Sequence, residues 1–83
     1  MSHQLYYSSF CFFCQKVLMS LKGRQHSIDL VNVNESGRRQ ELITGGGKSQ
    51  VPCLRIEQQD GAVQWMYESD DILDYLAAND LVS

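Results

Sequence analysis

The sequence predicts an α/β domain with the element order β-α-β-α-β-β-α. Three observations carry that prediction. A short β-prone run, Leu5-Tyr6-Tyr7, leads into a helical repeat that begins at Phe12. A turn signal, Gln59-Asp60-Gly61, separates two further β-prone runs and reads as a hairpin. The segment from Ser69 then opens with helix-start residues ahead of an apolar face.

Taken in order, the first strand is Leu5 to Tyr7, closed by Ser8-Ser9. Cys14, Val17, Leu18 and Leu21 follow at i, i+3, i+4 and i+7, one face of a helix that Ser9 would cap and Gly23 would stop. Gln25 to Val33 reads as the second strand, although its alternation is only partial. Glu35 to Ile43 reads as a weak helix, with Leu42-Ile43 as its strong apolar positions and Gly45-Gly46-Gly47 as its end. Val51 to Ile56 and Ala62 to Met66 form the hairpin. Pro52 cannot donate to a ladder, so it belongs at an edge or at the first residue of its strand. Ser69 is the expected cap of the last helix. Asp70 and Asp71 lie in its first turn, where negative charge complements the helix dipole, and Ile72, Leu73, Tyr75 and Leu76 form its apolar face.

The 83 residues make one expected domain, 1–83, with a small core. No run approaches the roughly 20 apolar residues of a membrane span, and Met1-Ser2-His3-Gln4 does not open a secretory signal, so no membrane association is expected. The net charge of −3, with Lys and Arg scattered, argues against a nucleic-acid partner. Three cysteines form an odd, sparse set that suits a reducing compartment, and the cytoplasm is expected.

The chemistry centres on Cys11-Phe12-Phe13-Cys14. Two cysteines one helical turn apart, at the junction of a strand and a helix, make a redox-active thiol pair. Cys11 would sit where unpaired N–H groups and the helix dipole favour a thiolate. The same spacing serves zinc, but a site needs about four ligands, and only Cys53, His3 and His26 are left to complete one. No metal is therefore expected. On its own, Pro52 is a strand-entry proline and Glu68-Ser69-Asp70-Asp71 an ordinary helix start. At least one of Phe12 and Phe13 is expected in core packing. Cys53 points into packing, Trp65 and Tyr67 pack at the hairpin and groove edge, and no partner is assigned to His3 or His26.

Together, Leu5-Tyr6, Cys11-Phe12-Phe13-Cys14-Gln15-Lys16-Val17, Gln50-Val51-Pro52-Cys53-Leu54 and Glu68-Ser69-Asp70-Asp71-Ile72 resemble a glutaredoxin. They equally resemble the thioredoxin-fold N-terminal domain of a glutathione S-transferase. The resemblance spans nearly the whole chain. It implies a thioredoxin-like (glutaredoxin) fold, a four-stranded mixed sheet flanked by three helices, with a cis Val51–Pro52 bond opposite the cysteines. It implies a glutathione-dependent thiol–disulfide oxidoreductase in which Cys11 attacks and Cys14 resolves. Glutathione, as co-substrate, would lie along Phe13, Val51, Pro52, Glu68 and Ser69. Val51 would pair with its cysteinyl backbone, Glu68-Ser69 and Asp70 would meet its γ-glutamyl end, and Lys48, or less directly Arg39, would meet its glycyl carboxylate. The implied partners are glutathione and disulfide-containing or glutathionylated proteins, and a monomer is expected.

The chain departs from the glutaredoxin pattern in three places. Phe12-Phe13 stand where proline then tyrosine are usual, Tyr67-Glu68 where two glycines are usual, and Tyr7-Ser8 where a basic residue is common. Glu68-Ser69 is the transferase-like version. Two alternatives therefore stand beside the oxidoreductase. One is a non-catalytic, transferase-type glutathione-binding domain without the helical second domain that a full transferase would need after Ser83. The other is an iron–sulfur carrier with Cys11 and glutathione as cluster ligands, an option the absent proline at Phe12 leaves open.

Overall fold

In the computed structural model, which describes residues 1–79 and Leu81, the element order is the expected one. It runs β1 (Ser2–Tyr7), α1 (Phe12–Leu21), β2 (Ile28–Asn32), α2 (Arg38–Gly46), β3 (Cys53–Glu57), β4 (Val63–Met66) and α3 (Ser69–Ala78). The sheet order is β2-β1-β3-β4. β1 is parallel to β2 and antiparallel to β3, and β3 is antiparallel to β4, so the sheet is mixed.

Successive strand residues point to opposite faces, and the two faces bury different sets. Leu5, Leu54 and Ile56 join Val17 and Leu21 of α1, and Ile72 and Leu76 of α3, in one cluster. Tyr6 and Cys53 turn the other way and join Val31, Val33 and Leu42 of α2. One helix thus covers one face and two cover the other. The site lies at the end of the sheet where β1 runs into α1 and where β3 begins.

Element bounds differ from expectation where tertiary pairing or backbone geometry intervenes. β1 starts at Ser2 rather than Leu5, because the polar Ser2-His3-Gln4 is drawn into ladders on both sides: His3 pairs with Ile28 and with Ile56. β2 is shorter than Gln25–Val33. Its buried positions, Ile28 and Val31, do not alternate strictly. α2 is displaced from Glu35–Ile43 to Arg38–Gly46. Gly37 adopts φ 83°, a left-handed conformation that cannot belong to the helix, so the helix starts one residue later.

The expectation that Gly45-Gly46-Gly47 ends this helix is corrected for the first two. Gly45 and Gly46 are helical, and only Gly47, at φ 89°, is the cap. Their lack of a Cβ serves packing: a Cβ on Gly45 would overlap the Trp65 indole, and one on Gly46 the Tyr67 phenol. Alanine at Gly45 gains about 1 kcal/mol of helix propensity. Displacing the rigid indole costs about 1–3 kcal/mol. Gly45→Ala is therefore expected to lower Tm by several degrees and shift the emission of Trp65, the sole tryptophan. An unchanged Tm and spectrum would contradict this packing.

His3 receives a partner that the sequence did not indicate. It is buried on β1, and its Nε2 lies 3.0 Å from the Tyr75 hydroxyl of α3. Burial, and secondarily the N-terminal ammonium, lower its pKa from the ordinary 6.5. A lowered histidine pKa means that the unfolded chain takes up the proton first. The stability this site contributes is complete above about pH 6.5 and is lost as pH falls towards the folded-state value. His3→Gln is expected to flatten the decline in Tm between about pH 6.5 and 5, before carboxylates titrate. A variant whose decline parallels the wild type would remove His3 as its source.

Candidate active site

The first turn of α1 is built differently from the expected Ser9 cap. The Cys11 N–H donates to the Ser8 carbonyl at 3.3 Å, and the chain turns there before the helix begins. The last non-helical residue is then Cys11, in extended conformation (φ −99°, ψ 120°), and its own sulfur is the capping acceptor. The Cys14 N–H donates to Cys11 Sγ at 3.3 Å, while the Cys11 carbonyl accepts from Gln15 N–H at 3.0 Å. A helix N-terminus leaves N–H groups without intrahelical partners. One of them is aimed at this sulfur.

Cys14 is the opposite of its neighbour. It is fully buried while Cys11 is half-buried, and both are free thiols. Burial first, then the hydrogen bond with Cys11, pushes the Cys14 pKa up to about 12. The Ser8 N–H, donating to Cys14 Sγ at 3.5 Å, opposes that rise only in part. The pair is therefore asymmetric, with one sulfur accessible and capped by a donor, and the other a protonated thiol behind it.

Cys11 faces the entry to β3. Its Sγ lies 3.7 Å from the Val51 carbonyl oxygen, and the Val51–Pro52 bond is cis. Pro52 stands just before the β3 ladder, where its missing N–H removes no sheet hydrogen bond. Among the described residues the Val51 N–H donates to no protein acceptor, while its carbonyl has the long contact with Cys11 Sγ.

A groove of about 190 Å³ runs from there, lined by Phe13, Val51, Pro52, Glu68 and Ser69 together with Gln50, Tyr67 and Asp70. Six residues expected to share a site, Asp70 among them, are thus together. The cap of α3 is corrected: Glu68 occupies the N-cap with no side-chain capping bond, and Ser69 is the first helical residue, nearly buried. The first-turn N–H groups of α3 accordingly have no side-chain acceptor from the cap. Asp70 is ion-paired with Lys16 of α1 at 2.6 Å, which engages one of the two acidic side chains expected at this end of the groove. Both partners are well exposed, so the pair contributes at most about 1 kcal/mol.

Lys48 does not line the groove. Its Nζ lies 5.4 Å from the centre of the Tyr67 ring, and the Tyr67 hydroxyl donates to the Lys48 carbonyl at 3.2 Å. Lys48 therefore stands one residue back from the groove wall. Arg39 is elsewhere on α2, donating to Asn34 Oδ1 at 3.3 Å. Gln50 was not singled out from sequence, although its place beside Val51 was the available signal. Cys53 is buried under the groove, where burial pushes its thiol up to about 12. His26 is engaged locally, its Nδ1 accepting from Ile28 N–H at 3.2 Å.

The two phenylalanines are a second correction. Core packing was expected for at least one, but Phe12 is 80% exposed and Phe13 57%, and Phe10 is 94% exposed. The helix turns its i, i+3, i+7 face, carrying Cys14, Val17 and Leu21, to the core. Positions 12 and 13 are left outside.

A cis-proline junction facing an N-terminal helix cysteine, beside an open helix start after β4, fits the outcome of comparison with known families. The sequence matches the glutathione S-transferase N-terminal domain over residues 5–80. The chain belongs to that family. No individual curated protein matches it. A transferase N-terminal domain has a thioredoxin-like fold, which accounts for the mixed sheet and its three helices. In this transferase-type domain a larger cleft, of about 570 Å³, lies between the outer face of α1 and β2, and it includes none of the expected site residues. Among the described residues no three His, Cys, Asp or Glu side chains gather as a metal-holding group, and no helix is long and apolar enough to cross a membrane.

Proposed function

We propose that the protein is a glutathione-dependent thiol–disulfide oxidoreductase acting on protein disulfides or protein–glutathione mixed disulfides. The observation that carries this reading is the asymmetric pair: Cys11 Sγ as the helix-capping acceptor beside the Val51 carbonyl, with Cys14 buried behind it. A transferase needs to hold glutathione, but it does not need a second thiol one turn from the first.

In the proposed cycle the Cys11 thiolate attacks the glutathione sulfur of a mixed disulfide. A Cys11–glutathione disulfide forms, the bond to the protein sulfur breaks, and that sulfur leaves with the electron pair and takes a proton from water. A second glutathione thiolate then attacks, releasing oxidised glutathione and restoring the Cys11 thiolate. For a protein disulfide, Cys11 attacks one sulfur and the other leaves as a thiolate; Cys14, giving its proton to that thiolate, then displaces the first by forming Cys11–Cys14, and two glutathiones reduce this bond and leave as oxidised glutathione. The groove supports the co-substrate assignment. The free N–H and the carbonyl of Val51 suit an added strand, and the open α3 N-terminus at Ser69 suits a carboxylate. Glu68 suits the ammonium beside that carboxylate. Phe13 and Pro52 form apolar walls, while Lys48, over the Tyr67 ring, stands outside the groove. A single domain, acting as a monomer in a reducing compartment such as the cytoplasm, is the setting this chemistry calls for.

The test is reduction of a glutathionylated peptide by the wild-type protein, coupled to glutathione and its reductase. Turnover is the expected result. Glutathione binding without turnover would replace this reading with a transferase-type binding module.

A further inference from the structure

Phe10, Phe12 and Phe13 bracket Cys11 in the chain and lie largely in solvent, at 94%, 80% and 57% exposure. A phenylalanine offers about 200 Å² to burial, so the three present roughly 450 Å² of aromatic surface. Patches of about 300–600 Å² on a small protein are commonly functional. Phe12 and Phe13 already meet edge to face, with centroids 5.8 Å apart, so part of the surface is ordered in advance. The segment is also uncharged: residues 1–15 contain no Asp, Glu, Lys or Arg. The next residue, Lys16, is neutralised by Asp70.

We propose that the protein substrates present their reactive cysteine within an apolar, uncharged segment that docks on Phe10 and Phe12. This rests on the oxidoreductase reading above. In the exchange step the leaving sulfur lies opposite the attacking one. The two sulfurs of the mixed disulfide are only about 2 Å apart, so with glutathione along Val51 and Ser69 the protein segment is still brought against the surface around Cys11, where Phe10 and Phe12 are the rings that do not line the groove. A second copy of this chain is a poorer occupant. A symmetric contact through the patch would bury roughly 900 Å² in total, below the ~1,200–2,000 Å² of stable interfaces. A substrate segment needs less area, because the reacting disulfide itself brings it to the site.

The experiment compares two glutathionylated peptides of equal length, one with Leu, Val and Phe around the cysteine and one with Glu and Ser. Their kcat/KM is measured with the wild type and with Phe10→Ser/Phe12→Ser. The wild type is expected to favour the apolar peptide by about tenfold, the effect of burying part of two rings. The variant is expected to lose that preference, each peptide rate being divided by the same protein's rate on hydroxyethyl disulfide with glutathione, because Phe12 stands between the two cysteines. Both rings are exposed, so the variant should fold. Equal rates on the two peptides, or a preference that survives in the variant, overturns the proposal while leaving the oxidoreductase reading intact. A wild-type dimer in light scattering that the variant abolishes also overturns it, in favour of a second copy. No wild-type turnover of any substrate overturns the oxidoreductase reading and this proposal with it.

Discussion

Replacing Cys11 with serine is expected to abolish deglutathionylation, a loss of roughly 10³-fold or more, because it removes the proposed nucleophile. The geometry makes this variant clean. Cys11 caps α1 by accepting the Cys14 N–H, and a serine hydroxyl accepts that bond at least as well. The fold should survive, and the loss should be chemical. Cys14→Ser is expected to behave differently. In the proposed cycle the first exchange and its release by glutathione do not pass through Cys14, whose thiol is buried and held protonated by a pKa of about 12. Rates on glutathionylated peptides should stay within a few-fold of wild type, while reduction of a protein disulfide should fall far more. A buried hydroxyl in place of the sulfur should cost about 1–3 kcal/mol, so circular dichroism must accompany the kinetics. If Cys14→Ser were inactive on glutathionylated peptides and Cys11→Ser active, the roles of the two sulfurs would be reversed.

Leu54→Ala is expected to produce the largest loss of stability, about 2–5 kcal/mol. Leu54 is fully buried on β3, opposite Leu5 of β1 and Met66 of β4, and belongs to the cluster that joins the sheet to α1 and α3. The cavity would therefore open where three layers of contact meet, with strands on both sides limiting collapse. For a domain of this size the loss is a Tm decrease of roughly 10–20 °C or more, a large part of a total stability of about 5–15 kcal/mol. Thermal or urea denaturation measures it. A change below about 1 kcal/mol would mean that the site relaxes and that the core does not close over Leu54 as described.

The folding pattern was legible where periodicity and turn chemistry agree. Cys14, Val17 and Leu21 point one face of α1 inward, and Asp60-Gly61 turn the hairpin, with Gly61 at φ 89° and Asp60 accepting from Ala62 N–H at 3.0 Å. It was less legible where the reason lies across the fold. Nothing local in Gly45-Gly46 separates a helix end from a helix surface shaved to admit Trp65 and Tyr67. Nothing local in Ser2-His3-Gln4 shows that two neighbouring strands will recruit it. Asp70 and Lys16 are 54 positions apart, and their ion pair became visible only when α1 and α3 were side by side.

The site divides along the same line. Residue types and spacing by themselves determined that Cys11 and Cys14 share one end of a helix, that a strand follows Pro52, and that a helix starts near Ser69. Those are local properties, set by backbone dihedrals and by which groups can cap. Tertiary structure decided that Cys11 rather than Ser9 caps α1, that Cys11 meets the Val51 carbonyl, and that Phe10 and Phe12 face solvent. These depend on desolvation and on approach between distant segments. The accessibility of a thiol or a ring is fixed by what the rest of the chain places against it, and local sequence does not contain that neighbour.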